Sequence, residues 1–199
     1  MCLICKKKSL KNLTELYICK NVKKIPQLPQ TLIKLDCSDC INLDFLPELP
    51  QSLKTLDCHG CKKLQSLPPL PNKLITLWCG ECPLRSLPPL PPTLEYLNCC
   101  GCTQLQSLPE NLPQTLETII CDGCIQLHSL PDLPLYLDRL ACNNCIHLIK
   151  IPKLPLYLRI LSCSGCSAII CLPKLPQYLK RLSYIGCTSI IYTPNIHRV

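Results

Sequence analysis

The chain has 199 residues, of which 47% are hydrophobic and 5% aromatic, so its core must consist mainly of leucine, isoleucine and cysteine. It has no run of about 18 apolar residues, the length that a membrane-spanning helix requires. The net charge is +8, but 7 of the 21 basic residues lie in the first 24 positions, so we predict a nearly neutral body and do not expect a nucleic-acid partner.

The first predicted element, residues 1–12, is a basic segment that we expect to cap the N-terminal end. It has no apolar stretch of the kind found in a secretory signal, so we expect the protein to be cytoplasmic. Cys2 and Cys5 precede the lysines at positions 6–8, and this arrangement permits a second interpretation as a two-signal lipid anchor. We favour the cap and do not expect a membrane partner.

Residues 13–192 form about nine repeats with a period close to 21. Residues 31–51 read TLIKLDCSDCINLDFLPELPQ, and residues 52–72 read SLKTLDCHGCKKLQSLPPLPN. The alternation in the first half of each repeat predicts a short strand whose leucine and cysteine, such as Leu35 and Cys37, point inward. Self-similarity at this period is typical of a solenoid, and one strand per repeat predicts a parallel sheet roughly 40 Å long.

The second half of each repeat is predicted to be extended rather than helical. Its prolines are three residues apart, as in Pro47 and Pro50. A polyproline II segment has three residues per turn, so both rings would lie on one face. Isolated PxxP segments bind SH3 and WW domains, but the fixed place of these prolines in every repeat favours a structural role.

The repeats resemble those of leucine-rich-repeat proteins. The string LPELPQSLKTL at residues 46–56 looks like the short repeats of bacterial effectors. The segment CKKL at residues 61–64 is similar to repeats of plant immune receptors and substrate-selecting ubiquitin-ligase subunits, and hybrid repeats of this kind occur in giant-virus proteins. The resemblance implies a curved horseshoe of the α/β class with a parallel β-sheet on its concave face, an extended convex side and few or no helices.

Twenty cysteines require their own explanation. Pairs such as Cys58 with Cys61 and Cys79 with Cys82 have the spacing of four-thiolate zinc sites. The alternative is that each pair fills two interior positions of its repeat, which other residues also occupy. We assign Ile18 and Asn21 to these positions in the first repeat, and Tyr184 and Cys187 to them in the last.

We favour buried thiols over zinc sites, and we predict no metal and no cofactor. Stacked cysteines would be close enough for disulfides, but parallel side chains of like rotamer disfavour the required dihedral angle, and a reducing cytoplasm would not maintain such bonds.

The residues that flank the inward positions are predicted to form a concave binding face. Trp78, beside Tyr96, is the only tryptophan and is either a binding hot spot or part of an aromatic row that packs along the sheet. Cys100 lies on the same face and is a candidate reactive thiol. The predicted protein-binding residues are Tyr17, Asp36, Asp57, His59, Trp78, Tyr96, Asn98, Asp122 and Arg139.

No enzyme motif is present, and we find no nucleophile or carboxylate grouped with the four histidines. We therefore predict a noncatalytic scaffold for protein–protein interaction, cytoplasmic, and in the host cytoplasm if the source is a virus or a pathogen. The alternatives are a zinc-binding cysteine-rich protein and a substrate-recognition subunit of a ubiquitin ligase. The polar tail, residues 193–199, would leave the last strand exposed or paired with another chain.

Overall fold

The computed structural model describes residues 9–192. The tail at 193–199 and most of the predicted N-terminal cap, including Cys2 and Cys5, lie outside the described residues. Within the described range there are nine strands of three residues each and no helix. The strands, numbered β1 to β9, are Glu15–Tyr17, Lys34–Asp36, Thr55–Asp57, Thr76–Trp78, Tyr96–Asn98, Thr118–Ile120, Arg139–Ala141, Ile160–Ser162 and Arg181–Ser183.

All nine strands belong to one parallel sheet whose spatial order is the chain order, β1 to β9. The register pairs equivalent residues of successive repeats, as in Leu35 with Leu56 and Asp36 with Asp57. Each repeat therefore contacts its neighbours in the same way, which is the geometry of a solenoid. The predicted fold class, a parallel-sheet solenoid with few or no helices, is confirmed. Nothing between residues 9 and 192 forms a helix long and apolar enough to cross a membrane.

The core is a stack of leucines and cysteines. The central residue of a strand and the residue just after the strand point inward, and Leu35 and Cys37 are both 0% exposed. No polar or charged residue is buried in the described part of the chain. Fully burying one leucine contributes about 1.5 to 3 kcal/mol, so the repeated leucine column is the main source of stability.

The second cysteine of each pair forms a continuous ladder of hydrogen bonds along the solenoid. The Cys61 thiol donates to the Cys37 carbonyl at 3.1 Å, and the Cys82 thiol donates to the Cys58 carbonyl at 3.1 Å. The same bond joins each following pair of repeats, ending with the Cys187 thiol. Most of these carbonyls also accept a backbone amide, as the Cys37 carbonyl does from Cys40 at 3.3 Å, so the thiol adds a bond that links one repeat to the next.

The first repeat differs from its sequence-based alignment. We predicted Asn21 for the ladder position, but Cys19 takes it. The Val22 amide donates to the Cys19 carbonyl at 3.1 Å, as the Leu43 amide does to the Cys40 carbonyl at 3.0 Å, so Cys19 is equivalent to Cys40. The Cys40 thiol also donates to the Cys19 carbonyl, at 3.4 Å. Asn21 lies exposed in the following turn. The first repeat is two residues shorter than the usual 21 because it lacks the turn after the strand, so Cys19 packs against the core and is not on the outer face.

The cysteine pairs follow one another in line and do not converge in fours. None of the eighteen cysteines of residues 9–192 forms a disulfide, and no group of three or more potential metal ligands occurs in that range. Burial is the main reason why the pKa of the Cys163 thiol, the first of its pair, is raised, so this core thiol remains protonated at neutral pH.

We expect thiol titration of unfolded, unreduced protein to count close to twenty free thiols. In the native state iodoacetamide should label Cys171 and Cys100 before the ladder thiols from Cys61 to Cys166, because those ladder thiols are buried. Mass spectrometry of the labelled peptides, with a guanidinium-unfolded sample as the control, measures both results. Near-zero free thiols in the unfolded sample, or equal labelling of ladder cysteines in the native one, would contradict the ladder.

Candidate functional site

The nine residues predicted to bind a partner all lie on the side of the sheet that faces away from the core. In most strands the first and third residues are half-buried and flank a buried central residue. Seven of the nine residues are on strands, namely Tyr17, Asp36, Asp57, Trp78, Tyr96, Asn98 and Arg139. His59 and Asp122 are in the turns that follow β3 and β6. The structure brings these residues onto one face, and their role in binding stays a prediction.

Trp78 and Tyr96 form the aromatic centre of this face. Their ring centroids are 5.7 Å apart with an interplanar angle of 63°, an edge-to-face contact. Both side chains are half-buried, so the indole is neither inside the core nor fully exposed. Trp78 is in register with Asp57 on one side and with Asn98 on the other. An apolar pair held rigidly among polar neighbours is the arrangement found at binding hot spots.

Asp36 and Asp57 are adjacent carboxylates in register on β2 and β3. One oxygen of each carboxylate accepts the amide N–H two residues further on, from Ser38 at 3.1 Å and from His59 at 3.0 Å. Partial burial raises the pKa of Asp57, with a further contribution from the charge of Asp36. A cationic group of a partner at this position would offset both the partial burial of Asp57 and the repulsion between the two carboxylates.

His59 has a carboxylate neighbour, contrary to our prediction that the histidines are isolated from such groups. Its Nε2 lies 3.7 Å from Oε1 of Glu81, and Nζ of Lys62 donates to Oε2 of the same carboxylate at 2.6 Å. The bond from Lys62 lowers the pKa of Glu81, to which His59 also contributes. All three groups are substantially exposed, so the cluster adds charge to the rim of the face and little stability.

Glu81 also has an unusual backbone conformation. Its φ is 54°, in the left-handed region, at a position of the repeat where Gly60 and Gly101 have φ of 72° and 68°. A side chain in this region costs roughly 1 to 2 kcal/mol, and strain of this kind often occurs at functional sites. Sequence reasoning missed this feature, although the glycine before the second cysteine of other repeats was the available signal.

The later half of the face is a hydrogen-bonded polar network that the sequence-based prediction included only in part. Oδ1 of Asp122 accepts from the Asn143 amide at 2.6 Å and from its side chain at 2.9 Å. Oδ1 of Asn143 in turn accepts from the Ser162 hydroxyl at 2.7 Å and from the Ser164 amide at 2.9 Å. These groups satisfy one another, whereas Trp78 and its neighbours offer apolar surface and charge.

Positive charge is concentrated at both ends of the sequence, and not only at the N-terminal end as we predicted. All 13 acidic residues lie at or before Asp138, and none follows it. The error came from counting residues 25–199 as one block, in which early acids balance late bases. The basic residues after Asp138 are Arg139, Lys150, Lys153, Arg159, Lys174, Lys180, Arg181 and Arg198.

One parallel strand per repeat, a leucine core and return segments without helices define the class: the chain is a leucine-rich-repeat protein. Over 88% of its length it is similar to YopM from Yersinia enterocolitica WA-314, with 31% sequence identity and a TM-score of 0.68. It is also similar to a leucine-rich repeat protein from Bacteroides ovatus ATCC 8483, with 19% identity over 95% of this chain and a TM-score of 0.59.

The chain spans only part of these proteins, 36% of the Yersinia enterocolitica chain and 55% of the Bacteroides chain. A structure of YopM from Yersinia pestis, described as a leucine-rich effector protein, matches 98% of this chain and 88% of its own length with 19% identity and a TM-score of 0.34. No protein-family model and no curated protein sequence matches the chain.

Proposed function

We propose that the chain is a noncatalytic scaffold that binds another protein through the concave face of its sheet, centred on Asp57, Trp78 and Tyr96. The observation that carries the proposal is the edge-to-face aromatic pair, half-buried beside two in-register carboxylates. A partner would cover the exposed part of both rings and pair a basic group with the carboxylates. Aromatic residues fixed by their neighbours lose little entropy on binding and dominate many protein interfaces.

The charge of the face supports one orientation of the partner. Asp36, Asp57 and Glu81 lie on its early half, and Arg139 and Arg181 lie on its late half. A partner with the opposite polarity would be attracted in one orientation and repelled in the reverse one. The likeness to YopM, described as an effector, is compatible with a protein-binding role in the cytoplasm, or in the host cytoplasm if the source is a pathogen.

The proposal is tested by site-specific photo-crosslinking and affinity measurement. A photoreactive phenylalanine analogue at position 78 should cross-link one protein partner in cell extract, which mass spectrometry identifies. Trp78→Ala should then weaken the purified complex at least about tenfold, as expected for a hot-spot residue. Tyr96→Thr and Asp57→Asn keep residue types found at equivalent positions, Thr76 and Asn98, and should weaken binding without unfolding the chain.

The matched control is Phe45→Ser, which removes a half-exposed aromatic side chain from an early return segment, outside the sheet face, and should leave the affinity unchanged. Circular dichroism of each variant checks that the solenoid is intact. If the three concave-face variants bind the partner as tightly as the wild type, the face is not the binding site.

A further inference from the structure

The turn that precedes each strand changes its chemistry along the solenoid. In four of the five earlier turns a hydroxyl donates to a leucine carbonyl of the preceding repeat, and the fifth turn has Lys73 at this position. Thr31 bonds Leu13 at 2.8 Å, Ser52 bonds Leu32 at 2.6 Å, Thr93 bonds Leu74 at 2.8 Å and Thr115 bonds Leu94 at 2.7 Å. The equivalent residues of the last three complete turns are Tyr136, Tyr157 and Tyr178.

These tyrosines form an exposed row. Successive ring centroids are 5.9 Å and 5.8 Å apart, and the rings are stacked nearly parallel. Tyr136 is 65% exposed and the preceding Leu135 is 66% exposed, while Leu156 and Tyr157 are each about half exposed. In these three turns an aromatic ring replaces the short hydroxyl side chain that bonds the backbone in earlier repeats. The ring exposes apolar surface to solvent and adds nothing to the core. An apolar patch without a folding role is typical of an interaction surface.

A groove runs beside this row. Its volume is about 1030 Å³, and its walls are leucines and prolines of the return segments, including Leu133, Leu154 and Leu175. Lys153 and Lys174 are exposed at equivalent positions of successive repeats and also line it. Asp132 occupies the equivalent position of the preceding repeat and lines the same groove, so the apolar walls carry one anion at the early end and two cations beyond it. No acidic residue follows Asp138.

We propose that this groove binds an extended acidic peptide segment of a partner protein, with apolar side chains between the leucines and acidic side chains on Lys153 and Lys174. The spacing supports an extended ligand running along the solenoid. Residues on one side of an extended chain recur every 6.6 Å or so, close to the interval between the stacked tyrosines. Neighbouring repeats would then contact alternate residues of the peptide.

The chemistry of the groove favours a peptide over nucleic acid. Each tyrosine ring is stacked on the next, so no gap is left for a base to enter between them. The apolar walls suit aliphatic side chains rather than phosphate groups. An anionic membrane shares the positive-charge requirement, and vesicles therefore form a separate arm of the test.

The test is selection of a displayed random decapeptide library on the immobilised full chain. The counter-selection target is a groove variant, Leu135→Gln, Tyr136→Thr, Leu156→Gln and Tyr157→Thr. Glutamine and threonine occur at the equivalent positions 114 and 115, so this variant is expected to fold, and circular dichroism checks that it does. Selected peptides should have Asp or Glu at alternating positions among apolar residues.

For one selected peptide, fluorescence anisotropy should show an affinity loss of at least about tenfold for Lys153→Glu with Lys174→Glu, since attraction becomes repulsion. The matched variant Lys54→Glu with Lys63→Glu changes the net charge equally outside the groove and should alter the affinity less than about twofold.

Peptides without acidic enrichment, equal binding to the groove variant, or equal loss in the two charge variants would overturn the proposal. It would also be overturned if no peptide is enriched while phosphatidylserine vesicles bind the wild type and not the groove variant. That result would assign the groove to a membrane surface.

Discussion

Replacing three consecutive ladder thiols, Cys82, Cys102 and Cys124, with alanine is expected to lower the free energy of unfolding by about 4 to 6 kcal/mol. Each of these thiols donates a 3.1 Å hydrogen bond to a carbonyl of the preceding repeat, and each is at most 1% exposed. Alanine removes the thiol donor and opens a small cavity, although the Cys58 and Cys99 carbonyls each keep a second hydrogen bond, from a backbone amide at 3.3 Å. Each lost hydrogen bond costs about 0.5 to 1.5 kcal/mol, and the cavity adds to that cost.

The loss in the free energy of unfolding should exceed the loss caused by three isolated core substitutions of similar size, because the ladder couples neighbouring repeats. In a solenoid, stability is approximately a sum of repeat terms and nearest-neighbour interface terms, and the ladder bonds belong to the interfaces. Loss of three in succession should therefore also reduce cooperativity, which appears as a lower denaturant slope.

Urea titration under reducing conditions, followed by circular dichroism, measures both quantities. The control pair is Cys100→Ala with Cys171→Ala, cysteines outside the ladder, for which we expect a combined change below about 1 kcal/mol. If the triple variant is unfolded, Cys102→Ala alone should show about one third of the loss. A triple variant as stable as the control would contradict a structural role for the thiols.

The core of the fold was predictable because its pattern is redundant. Strict alternation places Leu35 and Cys37 on one side, and nine copies of the pattern leave one arrangement that buries all of them. The short strands and the absence of helix in residues 9–192 followed from the same pattern and from the regularly spaced prolines. A misassigned residue in any one repeat would not have changed the predicted fold.

Alignment by constant spacing failed where a repeat has a deletion. The sequence shows that the first repeat is two residues short, but not where the gap lies. We counted forward from Ile18 and reached Asn21, whereas the hydrogen bond from the Val22 amide to the Cys19 carbonyl makes Cys19 the equivalent of Cys40. The alignment of the first repeat is decided by the need to give its buried carbonyls hydrogen-bond donors. This need can be seen only when the neighbouring repeat is present.

The composition of the candidate face was predictable, but its contacts were not. The columns of the repeat show that Trp78 lies next to Asp57, because register links equivalent positions. They do not show that His59 reaches Glu81, since that contact joins different positions of successive repeats and depends on side-chain conformation. The strained φ of Glu81 likewise arises from a turn whose geometry is fixed by the glycines of other repeats.

The functional information of this chain lies in its departures from the repeat. Residues shared by the repeats, mainly leucine and cysteine, are explained by the core and the ladder. Trp78 on the sheet, Glu81 at a glycine position and Tyr136 at a threonine position are not explained in this way. All three add surface features at some cost in strain or solubility, and they belong to the two surfaces proposed to bind partners.

Gly80→Ala is expected to destabilise the fold by about 2 to 3 kcal/mol, although alanine suits the backbone there. Residue 80 has no positive φ, so the cost is purely steric. A Cβ at this position would lie 2.8 Å from the Cys100 carbonyl oxygen and 2.9 Å from both the Cys100 sulfur and Nδ1 of His59. The carbonyl cannot yield easily, because it accepts the Glu81 amide at 2.6 Å. Overpacking of this kind typically costs about 1 to 3 kcal/mol.

Gly123→Ala separates this steric effect from backbone strain. Gly123 has a φ of 69°, so alanine there costs roughly 1 to 2 kcal/mol for a left-handed conformation, but the atoms nearest to its Cβ, in the Gly101 backbone, would be 3.7 Å away. Urea denaturation of the two variants should rank Gly80→Ala as the less stable, despite its ordinary φ. Adding Cys100→Ala to Gly80→Ala should restore little stability, because the clash with the backbone carbonyl remains. Full rescue by that second change would show instead that the sulfur, and not the peptide, limits the space between β4 and β5.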